Sequence, residues 1–114
     1  MKTSPNQTES VYETDEHPHT IAFNAKEQTV ALPYHRINEL RRGQGDRSIE
    51  IDCDDTRILI RGSHLGKMWR ELCAYRVREV SVSVLTVVEK ELAVKPTRCQ
   101  VEEIVIHRMD QEEG

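Results

Sequence analysis

Residues 48–62 read SIEIDCDDTRILIRG, and this stretch decides the predicted fold class. Apolar and charged residues alternate on both sides of Asp54 and Asp55, a pair that is typical of a tight turn. Alternation with a period of two is typical of a strand that buries one face and exposes the other. Residues 48–53 and 56–62 are therefore predicted to form a β-hairpin. Its core-facing side chains would be Ile49, Ile51, Cys53, Ile58 and Ile60.

Two more alternating stretches precede the hairpin. Residues 20–25 and 29–34 predict two half-buried strands that a short polar turn connects. Residues 35–40, which follow Pro33, are predicted to form one short helical turn. That turn would bury Ile37 and Leu40.

A helix is predicted after the hairpin. Apolar residues follow at relative positions 0, 3, 4, 7, 8, 12 and 15, which form one stripe of a helix: Leu65, Met68, Trp69, Leu72, Cys73, Val77 and Val80. Ser63 is the predicted N-cap. We expect the one tryptophan, in the middle of the stripe, to make the largest single contribution to the core, about 2–3 kcal/mol.

The C-terminal third is less regular. Residues 81–95, SVSVLTVVEKELAVK, fit either a strand or irregular connection or a continued helical spacing, and their β-branched residues favour the former. Residues 101–107 predict a last strand. The order β-β-β-β-α-β predicts an α+β fold with an antiparallel sheet of about four to five strands covered by one main helix.

Length and composition indicate one domain. The chain has 114 residues and a net charge of −4. We expect a disordered acidic tail at residues 1–19, the domain at 20–108, and a frayed acidic tail at 109–114. The sequence contains neither a secretory signal nor an apolar run long enough to span a bilayer. We therefore expect no membrane partner. Three cysteines without a CxxC spacing predict no disulfide framework, so we expect a cytoplasmic protein.

A family resemblance rests on hydrophobic motifs. These are Ile37 with Leu40, then Ile49/Ile51, then Ile58/Ile60/Gly62, and then a helix from Leu65 to Leu72 that contains Trp69. In this order the region from Tyr34 to Val80 resembles the second half of small bacterial pleckstrin-homology-like (GRAM-like) domains, and it is similar to other small bacterial proteins with a G-x-x-L…W-x-x-L helix entry. The resemblance implies a sheet covered by a helix. A complete domain of that family has seven strands before its helix, whereas four are predicted here.

Metal binding has two candidate regions, and neither predicts a site. His17 and His19 stand beside two acidic residues, but they lie in the predicted tail, where no rigid frame holds three or four ligands. The run 52–55 contains three aspartates, which the predicted turn explains.

The sequence contains no recognisable catalytic motif either. Cys73 lies on the apolar stripe, Cys99 lies beside Arg98, and no nucleophile elbow occurs. We expect no enzymatic activity, no catalytic residue and no cofactor.

Arginines define the one candidate ligand site. Arg41 and Arg47 flank the RGQGD segment at 42–46, which begins with Arg42, and these three arginines could hold a phosphate or a nucleic acid. Against this, residues 36–80 contain ten cations and eight anions, and the whole chain is negative. Aromatic residues are only 4% of the chain, too few for a base-stacking platform. Nucleic-acid or phosphate binding is therefore the alternative function.

The favoured function is protein interaction. A short open sheet leaves strand edges unpaired, and another chain can complete them. The valine-rich stretch adds apolar residues that one small domain cannot cover, namely Val82, Val84, Val87 and Val88. We therefore expect a homodimer, or a complex with another protein, through a strand edge or through this stretch.

Overall fold

The computed structural model describes residues 11–83 and 98–108, and these form an α+β fold. Their eight strands are β1 (Tyr12–Thr14), β2 (Thr20–Asn24), β3 (Thr29–Pro33), β4 (Ile37–Arg42), β5 (Ser48–Cys53), β6 (Thr56–Ser63), β7 (Val77–Ser81) and β8 (Gln100–Arg108). One α-helix, α1 (Gly66–Cys73), lies between β6 and β7, and two short 3₁₀ turns occupy Tyr34–Arg36 and Gln44–Asp46. Within the described ranges no helix is long and apolar enough to cross a membrane.

The strands form two sheets instead of the single sheet of four to five strands that the sequence predicted. The first sheet has the order β1-β7-β2-β3 and the second has the order β4-β5-β6-β8. All neighbours are antiparallel except β2 and β7, which run parallel. The α+β class is confirmed. The sheet count was wrong because β1, β4 and β7 were assigned to a tail, a helical turn and a helix.

The central hairpin is confirmed in its register. Ile49 pairs with Ile60 and Ile51 with Ile58, and these four side chains have no exposed surface. The two-residue turn at Asp54 and Asp55 connects the strands. Strand β8 pairs with the other side of β6, which confirms the predicted last strand and puts β6 in the middle of three strands.

Helix α1 is much shorter than the apolar stripe predicted. Its N-cap is Leu65, with no side-chain capping hydrogen bond, and Ser63 belongs to β6. The helix has eight residues and ends before Tyr75, which has a φ of 60°. Val77 and Val80 are buried but lie in β7. A register shift leaves Arg78 as an extra residue opposite β1, so two valines three residues apart share the buried face, as they would on a helix.

The same cause explains the wrong prediction of a helical turn at 35–40. The 3₁₀ turn ends at Arg36, and the chain continues as β4. A register shift between Ile37 and Glu39 leaves Asn38 as the extra residue. Ile37 and Leu40 therefore both pack against the core from one face of a bulged strand.

Two side chains of the predicted helical stripe are not fully buried. Trp69 is only partly buried, and Cys73 is exposed. The side chain of Phe23 on β2 is the largest of those with no exposed surface. The other predicted core residues are confirmed as buried: Ile49, Ile51, Ile58, Ile60, Leu65, Leu72 and Val77.

Residues 11–14, which were assigned to the acidic tail, belong to the first sheet. Val11 is 5% exposed, and its carbonyl accepts a hydrogen bond of 2.8 Å from the backbone N–H of Ser81. Strand β1 pairs with β7, more than sixty residues further along the chain. The acidic composition of this segment could not predict the strand, since its pairing with β7 decides that it is ordered. Residues 1–10 and 109–114, assigned to the two tails, lie outside the described residues.

Candidate functional site

Arg41, the first of the predicted phosphate ligands, is bound by acidic side chains of its own sheet. It faces Glu50 across the β4–β5 ladder. Its Nε donates to Glu50 Oε1 at 2.9 Å, and its Nη1 donates to Asp52 Oδ2 at 3.0 Å. Glu39 Oε1 lies 3.2 Å from Arg41 Nη1. These hydrogen bonds, first from Asp52 and then from Glu50, raise the pKa of Arg41 above its ordinary value. The guanidinium is thus already neutralised within the sheet.

Arg42 points to the other face of β4, opposite Ile49. Its guanidinium lies 5.7 Å from the centre of the Trp69 ring and pairs with Asp46 at 3.5 Å. The Asp46 carboxylate in turn lies against the first residue of α1, since a Cβ added to Gly66 would lie 2.8 Å from Asp46 Oδ2. A carboxylate of the chain itself thus occupies the helix start, where a phosphate would be favoured.

Arg47 is exposed, and its side chain forms no ion pair within the described residues. Its backbone carbonyl accepts a hydrogen bond from Gly62 at 3.0 Å. Arg41 and Arg42 leave β4 on opposite faces, and both line an open cleft of about 350 Å³ that Glu50 also lines. Arg47 is not among the lining residues, so the three arginines do not converge on one site and the alternative function stays a prediction.

Asp52 connects Arg41 to Arg57 across the outer face of the second sheet. Arg57 Nε donates to Asp52 Oδ1 at 2.9 Å. The hydrogen bond from Arg41 lowers the pKa of the Asp52 carboxyl below its ordinary value of 3.8, partial burial opposes this shift, and Arg57 reinforces it. Asp52, one of the three aspartates considered as cation ligands, is therefore engaged by two arginines.

We expect Asp52→Asn to lower the free energy of unfolding by about 1 kcal/mol at neutral pH. Because the folded-state pKa lies below the unfolded one, the ionised carboxylate stabilises the fold above about pH 4. That contribution is lost as the pH falls through the folded-state pKa. Urea unfolding at several pH values should therefore show the wild type and the variant converging in acid. Asp55→Asn makes the same charge change in the turn and is the matched control. A difference in unfolding free energy between wild type and Asp52→Asn that stays constant down to pH 3 would contradict the network.

The histidine and cysteine candidates are dispersed. His17 and His19 line a shallow cleft of about 450 Å³ with Tyr75 and Arg76. In the part of the chain that the structure describes, no group of three or more His, Cys, Asp or Glu side chains could hold a metal ion. The three cysteines are free, and burial raises the pKa of Cys99 to about 11, which makes its thiol a weak nucleophile.

Strand β8 is the longest strand at a sheet edge in the described residues. It has nine residues, and β6 pairs with one side of it. On the other side, the N–H of Ser83 donates to the Val101 carbonyl at 2.8 Å, and the Val101 N–H donates to Ser83 Oγ at 2.7 Å. From residue 102 to 108 the described chain provides no partner for this outer side.

The β6 pairing determines which backbone groups of β8 point outward. Gly62 directs its N–H toward the β5 side, where it binds Arg47, so its neighbour Arg61 directs its own toward β8. The register shift between Arg61 and Gly62 leaves Glu102 as an extra residue, so the alternation changes phase between Val101 and Glu103. Beyond this shift, the residues of β8 that exchange hydrogen bonds with β6 are Glu103, Val105 and His107. The N–H and C=O groups of Ile104 and Ile106 therefore point away from the sheet, toward the unpaired side.

An open cleft of about 510 Å³ follows this outer edge. It is lined by the β2–β3 turn at 25–28, by Val82 and by β8 residues 102–106. Val105 is 38% exposed. Among the described residues, it and Tyr75 are the two exposed large hydrophobic side chains. This edge, which has no partner strand in residues 11–83 and 98–108, and the cleft together make the strongest candidate binding surface.

The other described edges are shorter or less open. Strand β1 has three residues, β3 has five and ends in a proline, and β4 has six, against nine in β8. Of the predicted interface residues, Val82 is partly buried, packs against the core and lines the cleft. Val84, Val87 and Val88 lie outside the described residues. Sequence reasoning missed Val105, although its place between the acidic and basic ends of the last strand was visible.

Known proteins provide no template for this surface. A scan against protein-family models and searches of the curated proteins and of the solved structures each find no match for the chain. The resemblance to pleckstrin-homology-like domains therefore stays a prediction. The function has to be argued from the geometry of this chain.

Proposed function

We propose that this chain is a non-enzymatic interaction module that forms a homodimer through the outer edge of β8. The observation that carries the proposal is the run from residue 102 to 108, whose outer side no other described strand pairs, beside the open cleft. Backbone groups at a sheet edge are ready to bind another strand, and natural sheets protect such edges when they are not used. The cytoplasm is the proposed location, from the sequence alone.

A second copy is the partner that this edge favours. Two β8 strands offer each other the same unpaired groups, so one contact completes both edges and closes the assembly. The apolar Val105 would be covered in the same step. The arginine site has weaker support, because the Arg41 and Arg42 guanidinium groups already have carboxylate partners. Nucleic-acid binding is further disfavoured by the net charge of −4.

Val105→Lys is the variant that tests the edge. We expect the wild type to be a dimer in native mass spectrometry and sedimentation equilibrium, and the variant to dissociate at least about tenfold more readily, which corresponds to about 1.4 kcal/mol. The reason is that lysine puts a charge where two edges would meet, a device that natural edge strands use against pairing. Because Val105 is exposed, the subunit fold should be retained in circular dichroism.

Tyr75→Lys is the matched control. It changes the other exposed large hydrophobic side chain to the same residue, at the end of α1, and should leave the dimer intact. Val87→Lys tests the other interface that the sequence predicted. A dimer that is lost in Val87→Lys and kept in Val105→Lys would assign the contact to the valine-rich stretch. A wild type that is monomeric at high concentration would refute self-association altogether.

A further inference from the structure

The free part of β8 is complementary to itself in charge. Residues 102–108 read EEIVIHR, so the run begins with two acids and ends with two residues that carry or can carry positive charge. In an antiparallel pair of such strands, the acidic end of one copy lies beside the basic end of the other. A parallel pair would align like charges, which is unfavourable. The charge order therefore selects a two-fold, antiparallel contact.

The midpoint of the free run is Val105, because Val101 is already bound by Ser83 and the described strand ends at Arg108. A two-fold axis at this residue aligns 102 with 108 of the other copy and 103 with 107. Glu102 then lies opposite the partner's Arg108, and Glu103 lies opposite the partner's His107. Axes at Ile104 or Ile106 would instead put Glu102 or Arg108 opposite an isoleucine.

The hydrogen-bonding pattern favours the same axis. Ile104 and Ile106 direct their backbone groups outward, and an axis at Val105 makes each of them the partner of the other across the interface. Two complete hydrogen-bonded pairs then flank the central residue. The two Val105 side chains meet in the closely spaced, non-hydrogen-bonded position between them. Side chains of the outer face of the second sheet stay on one face of the joined sheet.

We propose that two copies of this chain join their second sheets through antiparallel β8 strands, with the two-fold axis at Val105 and with Glu102 and Glu103 facing the partner's Arg108 and the partner's His107. This inference rests on the proposed self-association and adds its register. The joined sheet would have eight strands, four from each copy. Neither copy would keep an open β8 edge.

Cysteine cross-linking tests the register. Non-hydrogen-bonded antiparallel partners have Cα atoms about 4.5 Å apart, which is within the range of a disulfide. In a Cys73→Ser background, which removes the exposed thiol, Val105→Cys is expected to give a covalent dimer under mild oxidation with oxidised glutathione, read on a non-reducing gel. Mass spectrometry of the digested band should identify the disulfide between the two new cysteines.

Two matched variants control for chance collision. Glu103→Cys and His107→Cys occupy the same face of the same strand, but each lies four residues from its own copy in this register, about 13 Å along the strand. Each alone is expected to stay monomeric on the gel. An equimolar mixture of the two should cross-link, because 103 faces 107 of the other copy.

Charge reversal gives a second readout of the same register. Arg108→Glu should weaken the dimer about tenfold, because in each of the two symmetric pairs it would face the partner's Glu102 with a second acid. Adding Glu102→Arg should restore the dimer. Arg70→Glu on α1 makes the same charge change at an exposed site away from β8 and should have no effect. Rescue by the double variant requires that 102 and 108 meet across the interface.

The outcomes separate the register from the proposed function. A wild-type dimer in which Val105→Cys fails to cross-link, or in which all three cysteine variants cross-link equally, overturns the register and leaves self-association standing. A monomeric wild type overturns both. Cross-linking of Val105→Cys with silent single controls, together with rescue of Arg108→Glu by Glu102→Arg, supports the register.

Discussion

Phe23→Ala is expected to lower the free energy of unfolding by about 3–5 kcal/mol, as removal of a large aromatic side chain from a core does. Phe23 has no exposed surface and lies on β2 between two neighbouring strands, where it faces Val30 of β3 and Val80 of β7. Alanine would leave a cavity that the two sheets cannot close without changing their pairing. Urea unfolding followed by circular dichroism measures the loss.

The matched comparison is Trp69→Ala. The sequence assigned the largest core contribution to this tryptophan, whereas the structure leaves it partly buried beneath the Arg42 guanidinium. We expect a loss of about 1–3 kcal/mol, smaller than the loss for Phe23→Ala. If Trp69→Ala lowered the free energy of unfolding more than Phe23→Ala, the core would be centred on α1, which would contradict the arrangement of the first sheet.

Gly62→Ala is expected to destabilise the protein by about 3 kcal/mol, the upper end of what overpacking costs. A Cβ at this position would lie 1.9 Å from the Gln100 carbonyl oxygen and 3.0 Å from Val101 Cα, both on the backbone of β8. Backbone atoms of a paired strand cannot move aside without breaking the β6–β8 ladder, whose register shifts at this residue. Thermal and urea unfolding measure the effect.

Gly66→Ala is the control for this prediction. Its added Cβ would meet Asp46 Oδ2 at 2.8 Å, but that atom is the end of a side chain that can rotate away. Alanine is also preferred over glycine within a helix by about 1 kcal/mol, so the net change should be small. If Gly62→Ala proved as stable as Gly66→Ala, the close approach of β8 to β6 would be wrong. Because β8 carries the proposed interface, Gly62→Ala should also weaken the dimer.

The candidate site could be predicted in part. The sequence showed that a last strand exists and that its ends differ in charge, because both features are local. It could not show that β8 lies at the edge of its sheet, since that depends on β6 being between β5 and β8. Nor could it show that Ser83 binds only the first part of the outer side, a contact between residues eighteen positions apart. Val105 becomes an interface candidate only through these two contacts.

Local patterning by itself determined the hairpin at 48–62, the strands β2 and β3, and most of the buried side chains, because uninterrupted alternation admits one pairing face. It also predicted β8, but not the register shift opposite Gly62. Tertiary structure alone decided the number of sheets, the length of α1 and the strand character of β4 and β7. The physical reason is the β-bulge. At Asn38 and Arg78 an extra residue puts apolar side chains three positions apart on one buried face, a spacing that a helical turn also produces. Only the partner strand distinguishes the two.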